Sequence, residues 1–241
     1  MEHRVRLSCY RCFRPVSHCL CDAIPQIDNR TSILILQHIG ERAHPFNTAR
    51  IVRNSLRNCQ LLVSHNRDFA EQDLPIVTNA GLLFPRPGAP SLAALPPDKR
   101  PAQIVIVDGT WHQAKTIVRD VPQLRSLPCY QLTPNSPGRY RIRREPDERS
   151  LSTLEATVAA LQAVEPTTTG GEQLLARVRR GKLLELCSAA DDDASGELTL
   201  KEFIDAVKDK GSGFQPKREE AKRRRRSGDR TPAVRNPPNP D

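Results

Sequence analysis

Short apolar runs alternate with stretches of helical periodicity over the first two thirds of the chain. Runs rich in Val, Ile and Leu predict buried strands, since the strands of a parallel sheet are covered on both faces. Such runs lie at residues 32–37, 60–64, 82–84, 103–107 and 129–132. Helical spacing predicts helices over residues 47–58, 111–120 and 152–164. This order of elements predicts a mostly parallel α/β sheet.

Residues 103–115, QIVIVDGTWHQAK, join one of these strands to a helix. The strand ends at an Asp-Gly turn pair that begins with Asp108, and Thr110 and Gln113 have the T-x-x-Q spacing of a capping box. Ligands of open α/β sheets bind at such strand ends, and the free N–H groups of a helix N-terminus favour an anion. A purely structural turn fits the same pattern, with Asp108 capping the chain and Trp111 in the core.

Four of the seven cysteines lie within thirteen residues near the N-terminus. Two close pairs, Cys9 with Cys12 and Cys19 with Cys21, have the spacing of a closed tetrahedral zinc site. His18 is an alternative fourth ligand. This clustering predicts a structural zinc knuckle in a reducing compartment, and it argues against disulfides.

The formal net charge of +9 is unevenly spread over the 241 residues. Residues 211–241 carry nine basic and four acidic side chains, including the cluster KREEAKRRRR, and their polar composition predicts a disordered tail. An excess of arginine suits contacts with phosphate, so a nucleic acid is the expected partner. A merely solvated surface and a solubilising tail are the alternatives.

Neither a membrane span nor a secretory signal is indicated by the apolar runs of the sequence. We therefore expect a cytoplasmic protein without a membrane partner. The basic cluster of the tail adds nuclear import as an alternative if the source is eukaryotic.

Residues 191–202, DDDASGELTLKE, match the pattern of an EF-hand calcium loop between two predicted helices. EF-hands normally work in pairs, and a second loop is not found in the sequence. An acidic helix-capping turn is therefore the alternative. The calcium ligands that the loop predicts are Asp191, Asp193, Ser195, Glu197, Thr199 and Glu202.

Four segments in a fixed order together resemble one known family. They are the cysteine cluster, LILQHIGERAHPFNTARI at 34–51, VIVDGTWHQAK at 105–115 and YRIRREPDERSLSTLEA at 140–156. This set resembles the DTW family, the tRNA-uridine aminocarboxypropyltransferases, from about residue 9 to about residue 161. The four segments in this order identify a family far more specifically than any one of them does alone.

The resemblance implies roles for particular residues. The Asp-x-Thr-Trp motif of the family matches Asp108, Thr110 and Trp111, which are implied to be catalytic. Structural alternatives exist for some of these residues. A helix capping box would account for Ser152 and Glu155, and His38 could be a hydrogen-bonded histidine of the core. The residues implied to bind the cofactor are Gln37, His38, Glu41, Asn47, Thr48, Arg50, Gly109, Ser152, Thr153 and Glu155.

The resemblance also implies a fold, a SPOUT-like knotted parallel sheet. With the zinc knuckle and a helical, EF-hand-like C-terminal appendage, it predicts four domains. They are a zinc knuckle at 1–28, a catalytic domain at 29–170, a helical EF-hand-like segment at 171–210 and a disordered basic tail at 211–241. The oligomeric state is left open.

The implied reaction moves the 3-amino-3-carboxypropyl group of S-adenosylmethionine to N3 of a tRNA uridine, giving acp3U and methylthioadenosine. Asp108 is the candidate proton acceptor, and holding the donor or the uridine in place is its alternative role. The competing functions are an S-adenosylmethionine-dependent RNA methyltransferase and a zinc-knuckle RNA-binding protein without catalysis.

Overall fold

The structure is a computed structural model that describes residues 7–179, apart from residues 15, 43, 45–46 and 133–150. All of these residues belong to the first of two compact units, residues 1–186. The predicted calcium loop, the basic tail and the side chain of His18 lie outside the described residues. None of the helices in the described residues is long and apolar enough to cross a membrane.

Five strands form one parallel sheet, as the sequence predicts, in the order β2-β1-β4-β3-β5. The knot implied by the SPOUT-like resemblance stays a prediction. The strands are β1 (Ser32–His38), β2 (Cys59–Ser64), β3 (Ala80–Leu83), β4 (Gln103–Asp108) and β5 (Cys129–Tyr130).

Helices cover the sheet on both faces. The described chain ends in a further helical stretch, residues 171–179, which places Leu174, Leu175 and Val178 in the same core as α5. The five helices are α1 (Ala49–Ser55), α2 (Asn66–Glu71), α3 (Trp111–Asp120), α4 (Pro122–Arg125) and α5 (Thr153–Val164).

Alternation along β1 divides the core into two layers. Ile33 and Ile35 pack with α1 and α5 on one face, whereas Leu34 and Leu36 pack with α2, α3 and α4 on the other. Successive side chains of a strand point to opposite faces, so a central strand covered on both sides is apolar throughout. All four side chains are fully buried, which explains the unbroken apolar run in the sequence.

The chain leaves β1 and β4 toward opposite faces of the sheet. The helix after β1 is α1, which packs in the layer of α5, and the helix after β4 is α3, which packs in the other layer. The loops therefore diverge at the carboxyl ends of two neighbouring strands. Such a topological switch point is where open α/β sheets form a crevice that binds ligands.

Several elements of the structure differ from the sequence predictions. Helix α1 is shorter than residues 47–58, because Leu56 is extended and forms a bridge with Ile27. Strand β3 begins earlier than predicted and includes Gly81, where a Cβ would lie 2.4 Å from the ring of Tyr130 on β5. Helix α2 was not predicted, because six residues with the single buried side chain Phe69 give no readable periodicity.

A buried carboxylate ties the end of α5 to the start of β1. Glu165 accepts hydrogen bonds from the backbone N–H groups of Arg30 and Thr31 at 3.0–3.1 Å. Burial would raise the pKa of Glu165, but these backbone donors and the Arg30 guanidinium lower it from 4.5 to about 2. The ionised form is therefore favoured in the folded protein.

We expect Glu165→Gln to lower the free energy of unfolding by about 3 kcal/mol at pH 7, because the folded state favours the ionised carboxylate by about that amount. Since the folded pKa is depressed, this stabilisation is present above about pH 4.5 and lost as pH falls toward 2. Urea unfolding at several pH values measures it. The exposed control Glu71→Gln should change stability by less than about 0.5 kcal/mol. Parallel pH curves for wild type and Glu165→Gln would contradict the expectation.

Candidate functional site

One carboxylate at the switch point links three of the sequence motifs. Asp108 Oδ2 accepts a hydrogen bond of 2.6 Å from Gln37 Nε2. Its other oxygen, Oδ1, accepts one from the hydroxyl of Thr153. Three of the predicted site residues, far apart in the chain, are thus joined by direct hydrogen bonds.

The fold explains how these residues meet. Gln37 and Asp108 are paired in register near the carboxyl ends of β1 and β4. Thr153 is the first residue of α5, which Ser152 caps, so the N-terminus of α5 lies at this edge of the sheet. The site therefore combines two strand ends with the start of a capped twelve-residue helix.

Hydrogen bonds from Gln37 and Thr153 reach both oxygens of Asp108 and fix the orientation of its carboxyl group. Gln37 is fully buried, and its Oε1 has no hydrogen-bond partner among the described residues. The NH₂ group of this buried amide is therefore the part of Gln37 that binds Asp108. The arrangement holds the carboxyl group of Asp108 at the carboxyl end of β4, beside the start of α5.

The turn after Asp108 has the predicted capping box. Gln113 accepts a 2.7 Å hydrogen bond from the Thr110 N–H and donates its own N–H to Thr110 Oγ1 at 3.2 Å. Trp111 begins α3 half-buried, with its ring edge-on to Phe84 at 6.2 Å between centroids. Thr110 therefore shapes the turn, and Trp111 leaves part of its ring accessible.

Two glycines let the loops after β1 and β4 approach each other closely. A Cβ at Gly109 would lie 3.1 Å from Gln113 and 3.5 Å from the Cβ of His38. A Cβ at Gly40 would lie 3.1 Å from His38 Nδ1 and 3.3 Å from Gln113 Nε2. His38 is thus packed against the turn that follows Asp108.

His38 has an unpredicted histidine as its neighbour. Burial, and then the nearby His65, lower the pKa of His38 below 6.5, whereas Glu41 acts in the opposite direction. The two imidazole rings meet edge to face at 5.9 Å between centroids. His65 follows β2, which pairs with β1, but a lone histidine before an unpredicted helix gave no signal in the sequence.

The predicted site residues between β1 and α1 are engaged in local structure. Asn47 donates to the backbone carbonyl of Glu41 at 2.9 Å and accepts from the N–H of Arg50 at 3.3 Å. Thr48 is the buried N-cap residue of α1. These contacts fix the course of the chain from the carboxyl end of β1 into α1.

Arg50 packs against the cysteine knuckle. Its guanidinium carbon lies 3.7 Å from the centroid of the Phe13 ring, a cation–π contact. Burial lowers the pKa of Arg50, and its Nε has no hydrogen-bond partner within the described part of the chain. Asn54 adds a 3.2 Å hydrogen bond to the carbonyl of Arg11. The knuckle is therefore docked on α1.

Glu155 completes the predicted capping box of α5. Its Oε2 accepts hydrogen bonds from the N–H and hydroxyl of Ser152 at 3.1 and 3.0 Å. Its other oxygen lies 3.8 Å from a guanidinium nitrogen of Arg179. Both oxygens of Glu155 thus support the helix start that carries Thr153.

The four clustered cysteines have the geometry of a metal site. Their sulfurs lie within 4.8 Å of one another, and the pairs Cys9–Cys21 and Cys12–Cys19 are each 3.8 Å apart. A tetrahedron with Zn–S bonds of about 2.3 Å has edges of about 3.8 Å. A left-handed Phe13, with φ of 61°, closes the turn between the first two cysteines and Arg14. The donor set therefore fits a closed tetrahedral zinc.

The pKa values of three thiols in the cluster are shifted, in different directions. Burial raises the pKa of Cys19 and, more strongly, that of Cys21. Backbone hydrogen bonding from Cys12 lowers the pKa of Cys9 to about 6. A bound cation would favour the thiolate form of all four, since metal ligation requires the deprotonated sulfur.

The comparison with known proteins defines the class. The profile of the DTW domain matches residues 6–182, so the chain belongs to the DTW domain family, as its motifs predicted. No solved structure matches the chain.

Three curated relatives carry one name, tRNA-uridine aminocarboxypropyltransferase 2. The protein from Drosophila melanogaster is 32% identical over 83% of this chain and 81% of its own length. The one from Macaca fascicularis is 31% identical over 81% of this chain and 69% of its own. The one from Mus musculus is 32% identical over 73% and 62%.

Proposed function

We propose that this protein is a tRNA-uridine aminocarboxypropyltransferase. It moves the 3-amino-3-carboxypropyl group of S-adenosylmethionine to N3 of a uridine in tRNA, forming acp3U and methylthioadenosine. The observation that carries the proposal is the convergence of Gln37, Asp108 and Thr153 at the switch point of the sheet. Family membership and the names of the relatives support the same activity.

Positioning decides the chemistry at a sulfonium, because each carbon attached to sulfur is electrophilic. The uridine N3–H loses its proton, N3 bonds to the aminocarboxypropyl methylene, and the carbon–sulfur bond breaks to release methylthioadenosine. Asp108 holds a positive group of the donor and takes the N3 proton directly or through water. Hydrogen bonds from Gln37 and Thr153 to its two oxygens hold the carboxylate in one orientation for these roles.

The start of α5 is the proposed binding site for the donor carboxylate, because the N–H groups of a helix N-terminus favour anions. Trp111 is half-buried, and the exposed part of its ring is proposed to stack on the adenine or the uracil. Several of the proposed donor-binding residues act by shaping the pocket, because their polar groups already form hydrogen bonds with neighbouring residues of the chain. The proposed donor-binding residues are Gln37, His38, Glu41, Asn47, Thr48, Arg50, Gly109, Ser152, Thr153 and Glu155.

Zinc on Cys9, Cys12, Cys19 and Cys21 is proposed as structural, because a closed four-thiolate site leaves no position for substrate. Its role is to hold the knuckle that packs on α1 through Phe13. Calcium at residues 191–202 stays a prediction for residues beyond those described.

Product identity tests the proposal. Purified protein, S-adenosylmethionine and tRNA should yield methylthioadenosine and a nucleoside heavier by one aminocarboxypropyl group, measured by mass spectrometry after digestion. Release of S-adenosylhomocysteine with a methylated nucleoside would identify an RNA methyltransferase. Binding of tRNA without either product, and without affinity for S-adenosylmethionine, would leave a non-catalytic RNA-binding protein.

A further inference from the structure

The cysteine knuckle carries a cluster of exposed apolar side chains. Among the described residues, five large apolar side chains are exposed, and four of them lie within residues 7–16. Single exposed apolar residues are ordinary on protein surfaces, whereas a cluster of them marks an interaction site. The four side chains are Leu7 (76% exposed), Tyr10 (84%), Phe13 (40%) and Val16 (57%).

Two of these exposed side chains, Tyr10 and Phe13, are aromatic rings carried by one turn, residues 9–14. The backbone of Cys9 closes this turn with hydrogen bonds of 2.7 Å to Phe13 and to Arg14. A fixed backbone leaves only the side-chain torsions of the two rings to be ordered when a ligand binds, which lowers the entropic cost of binding. Rings held in this way offer flat apolar faces, and every nucleobase has a face that can stack on one.

The charged side chains that accompany these rings are basic. Residues 7–21 and α1 together contain four arginines and no acidic residue. Arg11 and Arg53 are exposed, and the guanidinium of Arg50 lies 3.7 Å from the centroid of the Phe13 ring. A zinc held by four thiolates leaves two formal negative charges in the knuckle, fewer than the positive charges of the four arginines. Charge complementarity therefore favours a polyanion that also offers flat aromatic faces.

The Phe13 ring lies toward the edge of the sheet that carries the proposed site. Helix α1 runs from the carboxyl end of β1 back toward its amino end, because Leu56, which follows α1, forms a bridge with Ile27, which precedes β1. Arg50 belongs to the first turn of α1, and Asn47 ties that turn to the segment just after β1 through hydrogen bonds of 3.3 and 2.9 Å. The ring that contacts Arg50 is therefore on the side of the molecule where β1 ends.

We propose that Tyr10 and Phe13 form a stacking surface for unpaired nucleotides of tRNA, with Arg11 and Arg53 contacting the neighbouring phosphates. This inference rests on the proposed function, in which N3 of a tRNA uridine is the acceptor. A uridine that reacts at N3 cannot be base-paired through N3, so the enzyme must receive it unpaired. Proteins hold single-stranded RNA with aromatic rings that stack on bases and basic side chains that follow the backbone. The knuckle combines both features.

Substitutions of Tyr10 separate ring stacking from simple apolar contact. Tyr10→Phe keeps an aromatic ring, whereas Tyr10→Leu keeps only apolar volume. In the full chain without S-adenosylmethionine, Tyr10→Leu should weaken binding of a tRNA transcript and of oligouridine about tenfold, and Tyr10→Phe should stay within about threefold of wild type. Fluorescence anisotropy of labelled RNA measures both affinities, and metal content equal to wild type shows that the knuckle is intact. Val77→Ala, at an exposed apolar residue outside the knuckle, is the matched control and should leave both affinities unchanged.

The phosphate contact is tested by Arg11→Gln. Loss of one such contact should reduce the slope of log affinity against log salt concentration by about 0.7, the value for single strands. The substitution leaves the Arg11 carbonyl, which accepts a hydrogen bond from Asn54, in place. Arg125→Gln, at an exposed arginine of α4 in the other helical layer, is the matched control and should keep the wild-type slope.

Equal tRNA affinity in wild type and Tyr10→Leu would overturn the inference, and the exposed cluster would then be assigned to a protein partner. Equal losses in Tyr10→Phe and Tyr10→Leu would also overturn it, because both variants lack the hydroxyl and only one lacks the ring. Product formation is a separate measurement. Wild-type protein that binds tRNA in this Tyr10-dependent way and forms no aminocarboxypropyl product would refute the proposed function alone.

Discussion

Asp108→Asn is expected to lower turnover about 10²–10⁴-fold while the protein stays folded. Loss of a group that takes a proton in the transition state typically costs this much. Loss of the negative charge also removes the counter-charge for the sulfonium donor. The substitution therefore removes both proposed roles of the carboxylate at the switch point, proton acceptor and counter-charge.

The fold should tolerate asparagine because the neighbouring amide can adapt. An asparagine at this position can accept from the Thr153 hydroxyl with its oxygen and must then present its NH₂ group to Gln37. The Gln37 side chain can rotate its amide and accept that hydrogen bond with Oε1, which lacks a partner among the described residues. The midpoint temperature of thermal unfolding should therefore change by only a few degrees.

Two measurements separate the roles of Asp108. If affinity for S-adenosylmethionine falls in step with turnover, the carboxylate acts by holding the donor. If affinity is kept and turnover falls, proton transfer is the better account. The exposed control Asp98→Asn should have no effect on either quantity. Near wild-type turnover of Asp108→Asn at neutral pH would show that neither role is needed.

Short sequence patterns predicted the strands and helices whose structure depends mainly on neighbouring residues. The unbroken apolar runs marked β1 and β4, and the capping boxes at Thr110 and Ser152 marked the starts of α3 and α5. Each of these signals lies within a few residues of the structure it predicts. Helix α2 carried no such signal, since one buried residue, Phe69, anchors it.

Short sequence patterns could not predict that the side chains of Gln37 and Thr153 both contact Asp108. Gln37 and Thr153 lie 71 and 45 positions from it, and only the strand register and the packing of α5 bring them within hydrogen-bond reach. The resemblance predicted that the motifs share a site, but it assigned no hydrogen bonds. The orientation of His38 depends on the backbone of Gly40, which spacing alone does not determine.

The cysteine cluster was predicted from spacing, and its docking on the sheet domain was not. The guanidinium of Arg50, a proposed donor-binding residue, lies over the ring of Phe13 in the knuckle. Since α1 is the first α-helix after the carboxyl end of β1, the knuckle packs on a helix that follows the proposed site in the chain. Loss of a metal bound by the four cysteines would therefore affect α1 as well as the knuckle.

Purified wild-type protein is expected to hold one zinc per chain, and Cys12→Ser to lose most of it. Cys12 is a buried member of the cluster, and a serine hydroxyl is a poor zinc ligand that leaves the remaining thiols without a complete tetrahedron. Zinc binding to such sites is worth on the order of 10 kcal/mol of coupled folding free energy. Its loss should unfold the knuckle and expose the face of α1 that contacts Phe13.

Elemental analysis of protein purified without chelator measures the zinc, and proteolysis near residue 20 reports the unfolding of the knuckle. Cys129→Ser is the matched control, because its thiol lies on β5 and donates to the carbonyl of Phe84 at 3.1 Å, a hydrogen bond that a serine hydroxyl can replace. That variant should keep wild-type zinc content and protease resistance. Absence of zinc from the wild-type protein would refute the metal site. Equal zinc in wild type and Cys12→Ser would place the ion elsewhere, and the 3.8 Å sulfur pairs would then reflect the packing of free thiols.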